Sequence, residues 1–240
     1  MSVLGKKWLI RNQNNQKSIF ERILENRGIE KLEELEDFHD PFLFSEMKKT
    51  VERINEAVQK KERIIVFGDY DVDGISGTAI LVHILKRLGA NVSFRLPNRL
   101  HDGYGLSLKF IDEFIEKNIG LIITVDCGIS CIKEIQKAKD NHIDSIITDH
   151  HTIPEVSPPA FSILHPKKSD SGYPFKELTG AGVALKLAHA LIKNNLPPGE
   201  QSNFLNSLLD LATLGTIADL GSLRDENRLI VSRGLSVLAN

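Results

Sequence analysis

Cysteine is nearly absent from this 240-residue chain, with Cys127 and Cys131 its two thiols. Two cysteines are too few for a disulfide framework, and their spacing is not that of a zinc ribbon. An excess of charge of one sign is also lacking. Lys and Arg total 30 against 32 Asp and Glu, a formal net charge of −2. That balance rules out a histone-like protein and argues against indiscriminate coating of nucleic acid. A nucleic-acid enzyme stays open, because local patches and bound metal supply positive charge where it is needed. No apolar run approaches the length of a membrane span, and the N-terminus carries only Val3-Leu4 and Trp8-Leu9-Ile10, too little for a signal-peptide core. The familiar phosphate cradles are missing too. There is no Gly-x-x-x-x-Gly-Lys-Ser/Thr loop, no Gly-x-Gly-x-x-Gly after the first strand and no Gly-x-Ser-x-Gly elbow. What is present, 41% hydrophobic and 26% charged residues, is the mix of an ordinary globular protein. A cytoplasmic enzyme or binding domain remains.

The first sixty or so residues read as polar and helical. Ile19-Phe20, Ile23-Leu24, Val51, Ile54 and Ala57-Val58 recur at helical spacing among Glu, Lys and Arg. Gly28 and the Asp40-Pro41 step punctuate them, so several short helices are expected, forming a packing extension over residues 1–62. At Arg63 the grammar changes. Ile64-Ile65-Val66-Phe67 is a β-branched, apolar run of the kind that is buried on both faces of a parallel sheet. A polar turn, Gly68 to Gly74, leads into an apolar-periodic helix through Ile80, Ile84 and Leu88 that stops at Gly89, and Val92 to Leu96 is the next strand. The pattern recurs at Leu121–Val125, followed by Asp126-Cys127-Gly128 and a helix through Ile132, Ile135 and Ala138. It recurs again at Ser145–Thr148, followed by Asp149-His150-His151. Alternating strands and helices predict an α/β fold, a Rossmann-like, largely parallel sheet with helices on both faces. Thr179–Lys193 and Phe204–Leu214 are helix candidates, with Pro158-Pro159 and Pro197-Pro198 marking loops.

Ligands of an open parallel sheet bind outside the carboxyl ends of its strands. Three strands here end in metal-ligand residue types: Asp69, Asp71 and Asp73; Asp126; and Asp149-His150-His151. One such Asp alone would be read as the N-cap of the following helix, Asp73 above all. Jointly they resist that reading, since two carboxylates about 4 Å apart repel by roughly 4 kcal/mol at an effective dielectric near 20. Carboxylates with one or two imidazoles suit Mn²⁺ or Mg²⁺ better than a structural zinc. Cys127 lacks a supporting base and reads as a small buried packing residue.

These residues carry a resemblance. Val66-Phe67-Gly68-Asp69-Tyr70-Asp71-Val72-Asp73-Gly74, Val125-Asp126-Cys127-Gly128, Thr148-Asp149-His150-His151 and Gly215-Thr216-Ile217-Ala218-Asp219 are similar, in order, to the four motifs of the DHH phosphoesterase superfamily. More narrowly the chain resembles the RecJ single-strand-specific exonucleases. Asp40-Pro41-Phe42-Leu43, Pro97-Asn98-Arg99, Gly103-Tyr104-Gly105-Leu106, Tyr173–Leu178 and Gly180–Ala184 also fall in family order.

The resemblance implies a DHH domain over residues 63–225, with 226–240 the start of a connecting helix whose following domain is not in this chain. It implies 5′-to-3′ hydrolysis of single-stranded DNA, in repair and recombination, by two divalent ions. Asp71 and Asp126 would hold one ion, and Asp73, Asp126, His150 and Asp219 the other. Asp69 and Asp149 would orient those ligands, and His151 would face the substrate phosphate. Asp219 comes from the motif alone, and Asp210 is its acidic competitor nearby. Arg99 is the expected phosphate-contacting cation with His101 beside it, and Lys167, Lys168 and Lys176 could line a strand path. Single-stranded-DNA-binding protein is the implied partner.

One departure from the family pattern is Leu220-Gly221-Ser222-Leu223, where a proline-containing turn often follows the fourth motif. A chain stopping at Asn240 is expected to bind metal but to be weak as a processive nuclease. Competing readings are a DHH phosphoesterase for short oligoribonucleotides or cyclic dinucleotides, and an inactive replication scaffold. The intact ligand residues argue against the scaffold.

Overall fold

The computed structural model describes Gly5, Lys7, residues 16–27 and residues 35–239. The readings made on Val3-Leu4, Trp8-Leu9-Ile10 and Gly28 lie outside them. The chain divides into two compact units, Met1–Glu36 and Asp37–Asn240. In the first, helix α1 (Ile19–Asn26) is started by a capping box in which the Ser18 hydroxyl accepts from the Glu21 N–H and the Glu21 carboxylate accepts from the Ser18 N–H.

The second unit opens with a short 3₁₀ turn, Pro41–Leu43, capped by the Asp40 carboxylate. Next come α2 (Met47–Gln59), β1 (Arg63–Gly68), α3 (Val72–Arg87), β2 (Asn91–Arg95), α4 (Leu108–Glu116) and β3 (Leu121–Val125). Helix α5 (Ile132–Asp140), β4 (Asp144–Thr148), β5 (Ser162–Leu164), α6 (Gly180–Asn195), α7 (Pro198–Asn206), α8 (Leu209–Ala218) and α9 (Asp225–Leu238) complete it. All pairings are parallel, in the order β2-β1-β3-β4-β5. The Rossmann-like α/β expectation is met.

The strand interiors explain that topology. Residues of β1, β3 and β4 are buried on both faces, apart from the first residues of β1 and β4. Their side chains alternate between two cores. Ile64, Val66, Ile123 and Ile146 join α2, α3 and α6 on one face, while Ile65, Phe67, Ile122 and Ile147 join Phe110 and Phe114 of α4 and Ile135 of α5 on the other. Edge strand β2 is the exception, with most of its residues exposed. Among the described residues no helix is long and apolar enough to cross a membrane.

Three details differ from the sequence-based expectation. Met47, Val51, Ile54 and Ala57 of α2 lie in the main core, so this helix of the expected extension packs with β1, α3 and α6. The single helix expected over Phe204–Leu214 is two, α7 and α8, with Pro198 in the first turn of α7 and a break at Ser207-Leu208, where the Ser207 hydroxyl turns back to the Phe204 carbonyl. Strand β5 and helix α4 were not expected at all.

Candidate metal centre

The order of the sheet reverses between β1 and β3, because β2 lies on one side of β1 and β3 on the other. Crevices at such a switch point are where doubly wound sheets take their ligands. The last registered residues of β1, β3, β4 and edge strand β5 are Gly68, Val125, Thr148 and Leu164. The ladder then runs one residue further. The Asp69 N–H donates to the Val125 carbonyl at 3.2 Å, the Asp126 N–H to Thr148 at 2.9 Å and the Asp149 N–H to Leu164 at 3.2 Å. Sheet hydrogen bonding thus sets Asp69, Asp126 and Asp149 at one level along the rim.

Local structure then aims each side chain. Asp71 is the N-cap of α3, its carboxylate accepting from the Gly74 N–H at 3.0 Å. The capping role that sequence favoured for Asp73 therefore belongs to Asp71. Asp73 instead lies in the first turn of α3 and accepts from two N–H groups at the start of α6, Gly180 at 2.6 Å and Ala181 at 2.9 Å. Those donors and the helix dipole favour its charge, but burial dominates and raises its pKa. Asp126 takes a left-handed φ of 60°, uncommon outside glycine. A side chain at Gly180 would put its Cβ 2.5 Å from Asp126 Cβ, so only glycine admits that carboxylate.

The structure brings together the acids and the histidine expected to hold metal. His150 Nε2 lies 3.1 Å from Asp126 Oδ1, 3.8 Å from Asp219 Oδ2 and 3.9 Å from Asp73 Oδ2. Three overlapping sets have ligand atoms within 4.8 Å of one another: Asp69, Asp71 and Asp126; Asp73, His150 and Asp219; and Asp126, His150 and His151. Asp219 arrives as the C-cap of α8, one helix length from Asp210, which sits in the opposite first turn with its carboxylate on the Leu211 N–H. Asp219 is thus the acid of the pair that reaches His150. After it, Leu220 adopts a left-handed φ of 55° and the Gly221 N–H returns to the Thr216 carbonyl.

The electrostatics of this cluster are open-ended. Asp69 Oδ1, Asp126 Oδ1 and His150 Nε2 are buried without a hydrogen-bond partner, the 3.1 Å approach of the last two lacking the alignment of a bond. Buried polar atoms are almost always paired. Burial, then the charges of Asp73 and Asp71, push the Asp126 pKa up to about 10. Burial also raises Asp69 and, against the pull of the surrounding carboxylates, lowers His150, which leaves its ring neutral and able to ligate. Oxygen and imidazole donors without a thiolate fit Mn²⁺ or Mg²⁺. Cys127 is no rival ligand, because it is buried and its thiol lies against the Phe67 carbonyl.

Around the cluster, Asp149 is fully committed. Its Oδ1 accepts from the N–H groups of His150 (2.7 Å) and His151 (3.1 Å) and from His151 Nδ1 (2.8 Å), and its Oδ2 from the Ile129 N–H (2.9 Å). Despite burial these bonds hold its pKa below the usual value, and the pairing pushes His151 up to about 9. Tyr104 was not singled out by the sequence, yet its hydroxyl lies 3.4 Å from His151 Nε2. Arg99 sits in a turn closed by the Asn98 and Asp102 side chains, with its guanidinium over the Tyr70 ring. His101 and Lys176 are exposed. Two lysines offered for a strand path have protein partners. Lys167 Nζ donates to the His150 carbonyl at 2.6 Å, and Lys168 pairs with Glu46 and Asp170.

Fold and rim together define a doubly wound α/β protein whose switch-point crevice is built for divalent cations. The chain belongs to the DHH family, whose N-terminal-domain model matches residues 63–216. It is similar to the single-stranded-DNA-specific exonuclease RecJ of Bacillus subtilis, 46% identical over 202 residues, which are 84% of this chain and 25% of that protein. The Escherichia coli RecJ is 37% identical over 229 residues, 91% of this chain and 40% of the relative. Among solved structures, an exonuclease RecJ bound to manganese superposes with a TM-score of 0.72 at 39% identity, covering 80% of this chain and 48% of that one. RecJ from Thermus thermophilus in complex with Mn²⁺ gives 0.70 at 34% identity, covering 89% and 30%. The chain spans roughly a quarter to two-fifths of the length of the curated relatives it matches.

Proposed function

We propose that this chain carries the catalytic centre of a metal-dependent exonuclease that hydrolyses single-stranded DNA from the 5′ end. One observation carries the proposal: the unpartnered Asp69 Oδ1, Asp126 Oδ1 and His150 Nε2 converge where a sheet of this class takes its ligand. The similarity to RecJ proteins supports the substrate. Asp71 and Asp126, with Asp69 alongside, are assigned to one ion. Asp73, Asp126, His150 and Asp219 are assigned to a second, with Asp126 shared. Two divalent ions, when bound, supply water activation and charge neutralisation for in-line displacement at phosphorus.

The chain's own residues do the rest. Asp149 holds the His151 ring by Nδ1, and with its pKa near 9 that ring is cationic at neutral pH, presenting Nε2–H to a phosphate oxygen. Arg99 offers a second cation, steadied by Tyr70. His101 and Lys176 extend the strand path as exposed contacts. Residues 63–225 form the catalytic domain in this reading, and residues 226–240 begin a connecting helix. A cytoplasmic setting and cooperation with a single-stranded-DNA-binding protein belong to the same reading.

The test is a digest of 5′-labelled single-stranded DNA by this chain with Mn²⁺. The expected result is Mn²⁺-dependent release of mononucleotides, absent with Asp126→Asn. A protein that binds Mn²⁺ and cleaves only short oligoribonucleotides or cyclic dinucleotides would overturn the substrate. One that binds no Mn²⁺ would overturn the whole assignment.

A further inference from the structure

The rim does not stop at Asp149. His165 directly follows Leu164, the β5 residue paired with Thr148, and so continues the row of Asp69, Asp126 and Asp149 by one strand. Its side chain is completely buried, and both ring nitrogens are engaged. Nε2 lies 2.8 Å from the His151 carbonyl oxygen, and Nδ1 accepts from the Lys167 N–H at 3.1 Å. A carbonyl only accepts and an amide N–H only donates, so the two bonds fix the tautomer: proton on Nε2, lone pair on Nδ1. Burial lowers the pKa of His165, which keeps the ring in the neutral form these bonds need.

The His150-His151 pair is not part of a helix or strand, so it has no repeating backbone bonds to hold it. It is gripped from both sides instead. Asp149 takes its two N–H groups. The segment after β5 takes its two carbonyls, His165 that of His151 and the Lys167 ammonium that of His150.

We infer that His165 is a positioning residue, fixing through the His151 carbonyl the backbone from which the His151 imidazole reaches the substrate phosphate. The inference rests on the proposed phosphodiesterase reading for its effect on rate, but not for its effect on the His151 ring. A misplacement of about 1 Å in a reacting group can cost on the order of 10²-fold. Losing a group that orients a ligand typically costs roughly 10–100-fold.

Two substitutions separate the two ring nitrogens. In His165→Gln the longer side chain places an amide N–H where Nε2 was, keeping the bond to His151 and giving up the bond to Lys167. In His165→Asn the shorter side chain keeps an acceptor for the Lys167 N–H and falls short of His151. Steady-state hydrolysis of single-stranded DNA by the 240-residue protein is measured for both, with Tm and Mn²⁺ binding as controls. A second readout is the His151 ring ¹⁵N and ¹H shifts in metal-free protein. Expected are a kcat within about threefold of the parent for Gln, and a loss of about tenfold or more in kcat with KM nearly unchanged for Asn. The His151 ring signals should move in Asn and stay in Gln. The reverse order, or two variants equal to the parent, would overturn the inference by showing that His165 merely closes its own turn. If the parent itself hydrolyses nothing, the functional reading falls, while the ring signals still decide the positioning role.

Discussion

Two clusters of buried charge lie in the same compact unit and are finished in opposite ways. In one, Lys186 Nζ donates to Glu226 Oε1 at 2.7 Å and to the His39 carbonyl at 2.6 Å, while the His39 N–H and the Tyr173 hydroxyl donate to the same Glu226 carboxylate. Lys186 and Glu226 side chains are 1% and 0% exposed, yet no polar atom of this network is left without a partner. The other cluster is the rim, where Asp69, Asp126 and His150 each keep a buried bare atom. A buried ion pair is tolerable when hydrogen bonds satisfy what remains of each charge. The closed cluster meets that condition with protein atoms and ties α6 and α9 to the segment around His39. The rim does not, and divalent cations are the partners proposed for it. Burial of charge is common to both; what sets the rim apart from this brace is three unpaired ligand atoms gathered in one crevice, where a lone bare atom such as Arg53 Nη1 in its own ion-pair cluster has no such company.

The largest effect should come from removing the shared acid. Asp126→Asn is expected to cost more than about 100-fold in Mn²⁺ affinity and in hydrolysis, since even orienting groups one step removed cost 10–100-fold. The metal-free variant should be at least as stable as the parent, because folding no longer has to protonate a buried carboxyl whose pKa burial, Asp73 and Asp71 have raised to about 10. Calorimetry of Mn²⁺ binding and of unfolding measures both. A variant that lost stability and kept its metal would place Asp126 with the braces and erase the contrast.

Lys186→Met should behave the other way round. Leaving Glu226 buried without its cation is expected to cost about 3–5 kcal/mol of stability, with Mn²⁺ affinity little changed. Denaturant unfolding read beside the metal titration checks this. Equal losses in both would mean that the brace sets the geometry of Asp219, which lies just before α9.

The same contrast explains what could be read from the chain. Strands β1, β3 and β4 were legible because burial on both faces demands unbroken β-branched runs such as Ile64-Ile65-Val66. The acids after them were legible because the sheet delivers whatever follows a strand to one edge. Strand β5, three residues long, was too short to show a period, and α4 lay hidden although Phe110, Ile111 and Phe114 keep helical spacing, since it is only nine residues after a loop. Asp219 carried no local signal. It caps a helix whose position is set by packing, so only its likeness to a family motif singled it out over Asp210. His165 gave no signal, and Tyr104 showed only within the likeness at Gly103–Leu106, because their partners are 14 and 47 residues away. The bond from Lys167 to the His150 carbonyl, 17 residues away, had no sequence signal either.

The smallest effect is also the one that reads the open cluster without catalysis. In the metal-free protein Asp126 has its pKa raised to about 10, against an ordinary value of 3.8. Between those values the folded state holds a proton that the unfolded chain has released, so raising the pH favours unfolding, by up to about 1.4 kcal/mol per pH unit for one such group. His151, raised to about 9, acts with the same sign: the stability it contributes is complete below its ordinary value of 6.5 and is lost as pH rises through 9. From about pH 6.5 to 8.5 the two therefore add, and the Tm in EDTA should fall steadily across that range. A bound divalent ion takes the place of the proton on Asp126 and removes the larger of the two slopes, so with saturating Mg²⁺ the fall should shrink to the part owed to His151. Asp126→Asn in EDTA should show that same shallow dependence. Parallel Tm curves with and without Mg²⁺ would mean that the crowded carboxylates shed their protons into something other than a cation site, and the distinction between the two buried clusters would not hold.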